Sequence, residues 1–184
     1  MTAVAMITSL LLAASPQPVA QTEPEALRPG TVAIEPVADP AVPASARQTF
    51  ADAVERALSD ARFTALPATS RSRYIARVKV TRTARGAVTS NAREPGAGAA
   101  IGNWGGAVAV TLPSDKRQLR GLIVTELEVE LVQREGMQPV WRGRALTAQA
   151  EGTRADAPAT LAPKLASAAV RGFPAQQPEP VSIP

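Results

Sequence analysis

Residues 119–150 decide the fold of this chain, because they hold two alternating runs of apolar and polar residues on either side of a short turn. The first run is "LRGLIVTELEVELV" (119–132) and the second is "PVWRGRALTAQA" (139–150). Between Leu127 and Leu131 every second residue is apolar and the residues between are glutamates. A period of two is typical of a strand with one buried face. The stretch therefore predicts an antiparallel β-hairpin.

Gly136 fixes the register that we expect for this hairpin. A three-residue loop at 134–136, with Gly136 in the left-handed conformation, sets Gln133 opposite Met137. Sliding one strand by a single residue would turn its apolar side chains to the other face, so the pattern specifies the register. The cross-strand pairs that follow are Glu128 with Arg142, Glu126 with Arg144, and Val129 with Trp141.

Two further segments have the spacing of amphipathic helices. In "ASARQTFADAVERALSDARF" (44–63) apolar residues recur every three to four positions, and Ser45 with Gln48 has capping-box spacing that predicts the helix start. The second segment is "TLAPKLASAAVRGF" (160–173), where a proline at 163 is tolerated only in the first turn and Gly172 favours a C-terminal stop.

Three more runs have strand character: "TVAIEPV" (31–37), "RYIARVKVTRT" (73–83) and "AVAVTL" (107–112). The elements follow one another in the order β-α-β-β-β-β-α. The economical packing is an α+β domain with one mostly antiparallel sheet of four to five strands and both helices on one face. The opposite face of the sheet is then polar and solvated.

The two ends of the chain differ in composition from the middle. Residues 1–15 form an uncharged apolar run, which is too short to span a membrane and has the length of a signal-peptide core. We expect a signal peptide at 1–20, a Pro-rich linker at 21–30, one domain at 31–174 and a disordered Pro-rich tail at 175–184. The alternatives for the first segment are an uncleaved membrane anchor and a disordered cytosolic end.

Cysteine and histidine are both absent from the 184 residues, which excludes disulfides, thiolate or imidazole ligands and lipidation at a lipobox cysteine. Carboxylates on alternate residues of a strand stand about 7 Å apart, too far to share one metal ion easily. We therefore expect no metal, no cofactor and no enzymatic activity. An exported chain without cysteine is expected to be periplasmic or secreted, not lipidated, and without a transmembrane span in its mature form.

The Gly-rich loop at 94–106 contains "GAGAAIGNWGG" (96–106). A dinucleotide-binding loop needs glycine at its first, third and sixth positions and a following helix, but the sixth position is Ile101 and a strand-like run follows. The loop is thus interpreted as an insert between strands. Trp104 is either an exposed finger that binds a partner or sugar ring, or a tether folded back onto the domain.

A basic run extends from Arg71 to Arg93 with no acidic residue inside it. It could bind an anionic glycan or lipid head group, or its side chains could pair with the glutamates of a neighbouring strand. The net charge of +4 on an Arg-rich chain does not by itself indicate nucleic acid. With Trp104, the candidate binding residues are Arg73, Arg77, Lys79, Arg82 and Arg85.

The element order, the Gly-rich insert before "LIVTELEVELV" (122–132), "VWRG" (140–143) and "GFP" (172–174) together resemble a known family. It is a small Gram-negative envelope domain of unknown function, usually found in outer-membrane lipoproteins. The resemblance runs from about Val32 to Pro174 and implies an α+β domain, an envelope location and no established catalytic residues. Two departures are the missing lipobox cysteine and the turn "VQREG" (132–136), which lacks the usual acidic start.

These observations predict a non-enzymatic periplasmic domain that binds or scaffolds another envelope component. The expected partner is an envelope protein or an anionic envelope polymer. The residues with predicted structural roles are Trp141, Gly136, Gly143, Glu126, Glu128, Arg142 and Arg144.

Overall fold

A computed structural model of the protein describes residues 27–90 and 118–184. Within them, one sheet has the strand order β2-β1-β3-β4-β5-β6 and is accompanied by two helices, which confirms the α+β class. The elements are β1 (Thr31–Pro36), α1 (Ala44–Asp60), β2 (Thr64–Leu66), β3 (Tyr74–Ser90), β4 (Gln118–Gln133), β5 (Gln138–Ala150), α2 (Pro158–Val170) and β6 (Val181–Ser182).

The sheet is mixed, because β4 alone among the described strands runs against its neighbours. β1 is parallel to both β2 and β3, and β5 is parallel to β6, whereas β4 is antiparallel to β3 and β5. The two antiparallel contacts join the three longest strands. Neither β2 nor β6 was expected from the sequence, and the expected strand at 107–112 lies outside the described residues.

Both helices cover the same face of the sheet, which we call the inner face. Leu58 of α1 and Leu165 of α2 are fully buried with the apolar side chains of β3, β4 and β5 in one core. Complete burial of one such leucine contributes about 1.5–3 kcal/mol. The opposite, or outer, face therefore holds the polar residues of the alternating runs.

The helix starts differ from the sequence prediction. α1 begins at Ala44 after Pro43 without a side-chain cap, so the capping box expected at Ser45 and Gln48 is wrong. The Gln48 amide instead donates to the Asp52 carboxylate at 2.7 Å. α2 begins at Pro158, so residue 163 is a proline inside the helix rather than in its first turn. A proline at the first helical position suits the helix start.

The predicted hairpin register is wrong by two residues. The turn has four residues, from Arg134 to Met137, and Val140 adds a bulge because Val132 faces Pro139 while Leu131 faces Trp141. A shift of two residues leaves each side chain on its expected face but changes its partner. The observed pairs are Glu130 with Arg142, Glu128 with Arg144, Val129 with Gly143 and Glu126 with Leu146.

Residues 175–184 are ordered against the domain, so the expectation of a disordered tail is wrong. β6 pairs with β5, and the amide of Ile183 donates to the Leu146 carbonyl at 2.9 Å. The indole N–H of Trp141 donates to the Ala175 carbonyl at 2.9 Å. The tail thus closes one edge of the sheet.

Candidate functional site

The outer face carries rows of charged side chains that alternate in sign from strand to strand. In one row Glu35 of β1, Arg77 of β3, Glu130 of β4 and Arg142 of β5 are neighbours. In the next row Lys79, Glu128 and Arg144 follow the same alternation. With Glu126, these eight residues form what we call the charge ladder, and its four acids and four bases sum to zero.

Arg142 is the centre of the ladder. Its guanidinium donates to Glu130 Oε1 at 2.8 Å and lies 3.4 Å from Glu128 Oε1. The hydrogen bond to Glu130 and the charge of Glu128 raise the pKa of the Arg142 guanidinium, so this side chain stays charged. About half of the Arg142 side chain is exposed to solvent. The ladder is thus a hydrated surface with fixed charge positions.

Two further ion pairs complete the ladder. Arg77 Nη1 lies 3.9 Å from Glu130 Oε2, and Arg144 Nη1 lies 3.7 Å from Glu126 Oε1. The partnerships expected from the sequence, Glu128 with Arg142 and Glu126 with Arg144, therefore do form, but diagonally rather than directly across the hairpin. Diagonal neighbours on one face are within reach of long side chains.

The structure separates the basic residues that the sequence grouped together. Arg77 pairs with Glu130 of β4, as the pairing alternative predicted, whereas Lys79 stands beside Glu128 without an ion pair in the described residues. The guanidinium of Arg73 lies 5.2 Å from the centre of the Tyr74 ring. Arg85 is exposed at a register shift between Ala84 and Ala87. Trp104, the other candidate, lies outside the described residues.

Arg82 was grouped with the candidate binding residues, but it does not lie on the outer face with Arg77 and Lys79. Arg82 comes two residues after Val80 and four after Val78 in the same strand. Because Val78 and Val80 are buried, Arg82 also points to the inner face. Its Nη2 atom donates to both carboxylate oxygens of Asp156, at 2.8 and 2.6 Å. Asp156 is completely buried and also accepts the Gly152 amide at 3.2 Å. The even-numbered position of Arg82 in β3 could have predicted that it faces the core. No feature of the sequence near Asp156 predicted the contact.

The "VWRG" and "GFP" segments meet in the core. Trp141 is 1% exposed, and its ring packs edge-to-face on Phe173 with the ring centres 5.6 Å apart. A Cβ atom on Gly143 would collide with the Ala169 carbonyl oxygen and with the Trp141 ring. Glycine at 143 therefore lets α2 and the indole approach the strand.

In residues 27–90 and 118–184, no group of three or more acidic, histidine or cysteine side chains could hold a metal ion. No helix in the same part of the chain is long and apolar enough to cross a membrane.

No protein-family model matches the sequence, and no curated protein is significantly similar to it. Solved structures match this chain at low scores. A PelC variant dodecamer from Paraburkholderia phytofirmans is 14% identical with a TM-score of 0.40, over 80% of this chain and 87% of that one. A neuraminyllactose-binding hemagglutinin homolog from Helicobacter pylori is 6% identical with a TM-score of 0.43, over 78% and 81%. These scores are too low for an argument about function.

Proposed function

We propose that this chain is a non-enzymatic domain of the cell envelope that binds or scaffolds another envelope protein with the outer face of its sheet. The observation that carries the proposal is the position of both helices on the inner face. The eight charges of the ladder are left on a surface that no described helix covers. A flat face with fixed charges of both signs can dock against a surface with the complementary pattern.

The arrangement favours a protein over a polyanionic polymer as the partner. Acids and bases alternate at strand spacing and sum to zero, so their fields largely cancel beyond a Debye length of about 8 Å. Arg82 is engaged with Asp156 on the inner face, and Arg77 lies next to Glu130. The basic strand therefore offers an anionic glycan or lipid head group few unopposed cations.

The sequence supports the remaining parts of the proposal. A chain without cysteine and histidine lacks thiolate nucleophiles and the most frequent general base. The apolar run at 1–15 supports export. Cell fractionation with N-terminal sequencing tests this part, and we expect a periplasmic form that lacks about the first twenty residues. An uncleaved cytosolic protein would contradict the envelope assignment.

Site-specific photo-crosslinking tests the docking face directly. A photoreactive amino acid at Arg142 is expected to trap a defined envelope protein in living cells, because this side chain is exposed at the centre of the ladder. The matched control places the same group at Lys164, which is exposed on α2 at the opposite side of the domain. Equal products from both positions, or none from Arg142, would contradict the proposed face.

A further inference from the structure

One edge of β3 has no neighbouring strand in the described structure over much of its length. β1 pairs with β3 only as far as Pro36 beside Val78, and from Lys79 to Ser90 the only described strand that pairs with β3 is β4. The Val37 amide donates to the Val78 carbonyl at 2.8 Å, so backbone groups of even-numbered residues face this side. We call the backbone from Lys79 to Ala84 on this side the open edge.

The open edge has the length and accessibility of a strand-binding site. Six residues at about 3.3 Å each span about 20 Å, the length of a typical strand. Thr83, Ala84 and Arg85 are consecutive and all exposed, although successive residues of a strand point to opposite faces. An incoming chain can thus reach the edge from both faces of the sheet.

We propose that the open edge accepts an extended, acidic segment of a partner protein as an additional strand. Main-chain hydrogen bonds to the edge would supply affinity, and side chains on alternate residues would supply selectivity. Lys79 is exposed and makes no ion pair in the described part of the structure, and Arg85 is exposed nearby. One row away, β1 already sets an acid, Glu35, beside Arg77. An acidic residue near Lys79 would continue that alternation.

The same features disfavour a second copy of this chain as the occupant. Two β3 strands paired antiparallel about Arg82 would bring Lys79 opposite Arg85 of the copy, and like charges directly opposite are destabilising. The register shift between Ala84 and Ala87 also bends the strand beyond the edge. The inference shares Lys79 with the charge ladder but otherwise rests on the backbone of the edge, and the Ala84 variants test the edge without changing the ladder.

Peptide selection with two matched pairs of variants tests the inference. A displayed library of ten-residue peptides is selected on the full chain, and enriched peptides are expected to alternate acidic and apolar residues. Ala84→Pro removes an amide that faces the edge and spares the bonds to β4, so it should weaken these peptides at least about tenfold. Ala84→Val, which keeps the amide, should leave their affinity within about twofold.

Charge is tested in the same way. Lys79→Glu should weaken the acidic peptides at least about fivefold, because a like charge replaces an opposite one, whereas Lys164→Glu on α2 makes the same change elsewhere and should have little effect. Circular dichroism confirms that each variant is folded. The inference is overturned by a library that yields no peptide sensitive to Ala84→Pro, by enriched peptides that are not acidic, or by a dimer in light scattering that Ala84→Pro dissolves.

Discussion

Two sets of ion pairs lie on opposite faces of the same strand of this protein. On the outer face, Arg77 of β3 takes part in the charge ladder, whose central arginine is 53% exposed. On the inner face, Arg82 meets Asp156, and their side chains are 14% and 1% exposed. Exposed pairs contribute only about 0.2–1 kcal/mol each, while removing one partner of a buried pair costs about 3–5 kcal/mol. Burial, and not the number of pairs, thus decides which set the fold depends on.

The largest effect is expected from Asp156→Ala. It leaves the Arg82 guanidinium without its carboxylate in a largely buried site and removes the acceptor of the Gly152 amide. The free energy of unfolding in urea should fall by about 3–5 kcal/mol. Replacing both partners, with Arg82→Met and Asp156→Leu, should recover most of the loss because no charge remains buried. A loss below 1 kcal/mol for Asp156→Ala would contradict the conclusion that the fold depends more on the buried pair than on the exposed ones.

A packing change at the end of α2 should have a smaller effect than the loss of the buried charge. Gly143→Ala forces a Cβ into the space held by the Ala169 carbonyl and the Trp141 ring. We expect a loss of about 1–3 kcal/mol in the urea unfolding free energy, together with a change in tryptophan fluorescence. Ala148→Ser, at an exposed position of the same strand, serves as the control and should change stability by less than about 0.5 kcal/mol.

Loss of a buried hydrogen bond between neutral groups is expected to lower the free energy of unfolding by a similar amount. Deleting residues 175–184 removes the carbonyl that accepts the Trp141 indole N–H and the contact of Ile183 with the core. The unpaired indole N–H alone should cost about 1–3 kcal/mol. A truncated chain with the thermal midpoint of the full chain would show that the tail does not contribute to stability.

The smallest effect is expected from Arg142→Ser in the ladder. Its exposed contacts with Glu128 and Glu130 should contribute less than about 1 kcal/mol, and 1 M salt should reduce that contribution further by screening. The loss of unfolding free energy caused by Asp156→Ala should be nearly the same with and without 1 M salt. Arg171→Ser, at an exposed position after α2, is the control. A loss of unfolding free energy above 2 kcal/mol for Arg142→Ser would show that the fold depends on the ladder for its stability.

The alternation of residues predicted the faces of this sheet better than its pairings. The glutamates of β4 lie on the expected face, because a register shift of two residues leaves every side chain on the same face of the sheet. The bulge at Val140 and the four-residue turn changed the register, and no local signal distinguished them from a shorter loop. β2 and β6 are too short to carry a periodic pattern, since they have three and two residues. Tertiary contacts with β1 and β5 hold them in the sheet.

The face on which each charged residue lies was predicted correctly where the alternation of residues was used, and wrongly where residues were grouped by charge alone. Glu126, Glu128, Arg142 and Arg144 do share one surface with Arg77 and Lys79. Arg82 was included because it is basic, although its spacing matches the core residues of β3. Its partner Asp156 lies in a loop far along the chain, where only the folded structure reveals the contact.

The central claim is that the ladder serves recognition while the buried pair serves stability. Its most direct test combines Glu130→Gln with Arg142→Gln, which removes one acid and one base and leaves the net charge unchanged. Retention of the protein that is crosslinked at position 142 should fall at least about tenfold, while the free energy of unfolding changes by less than about 1 kcal/mol. Unchanged retention of that protein, with stability lowered by several kcal/mol, would contradict the claim.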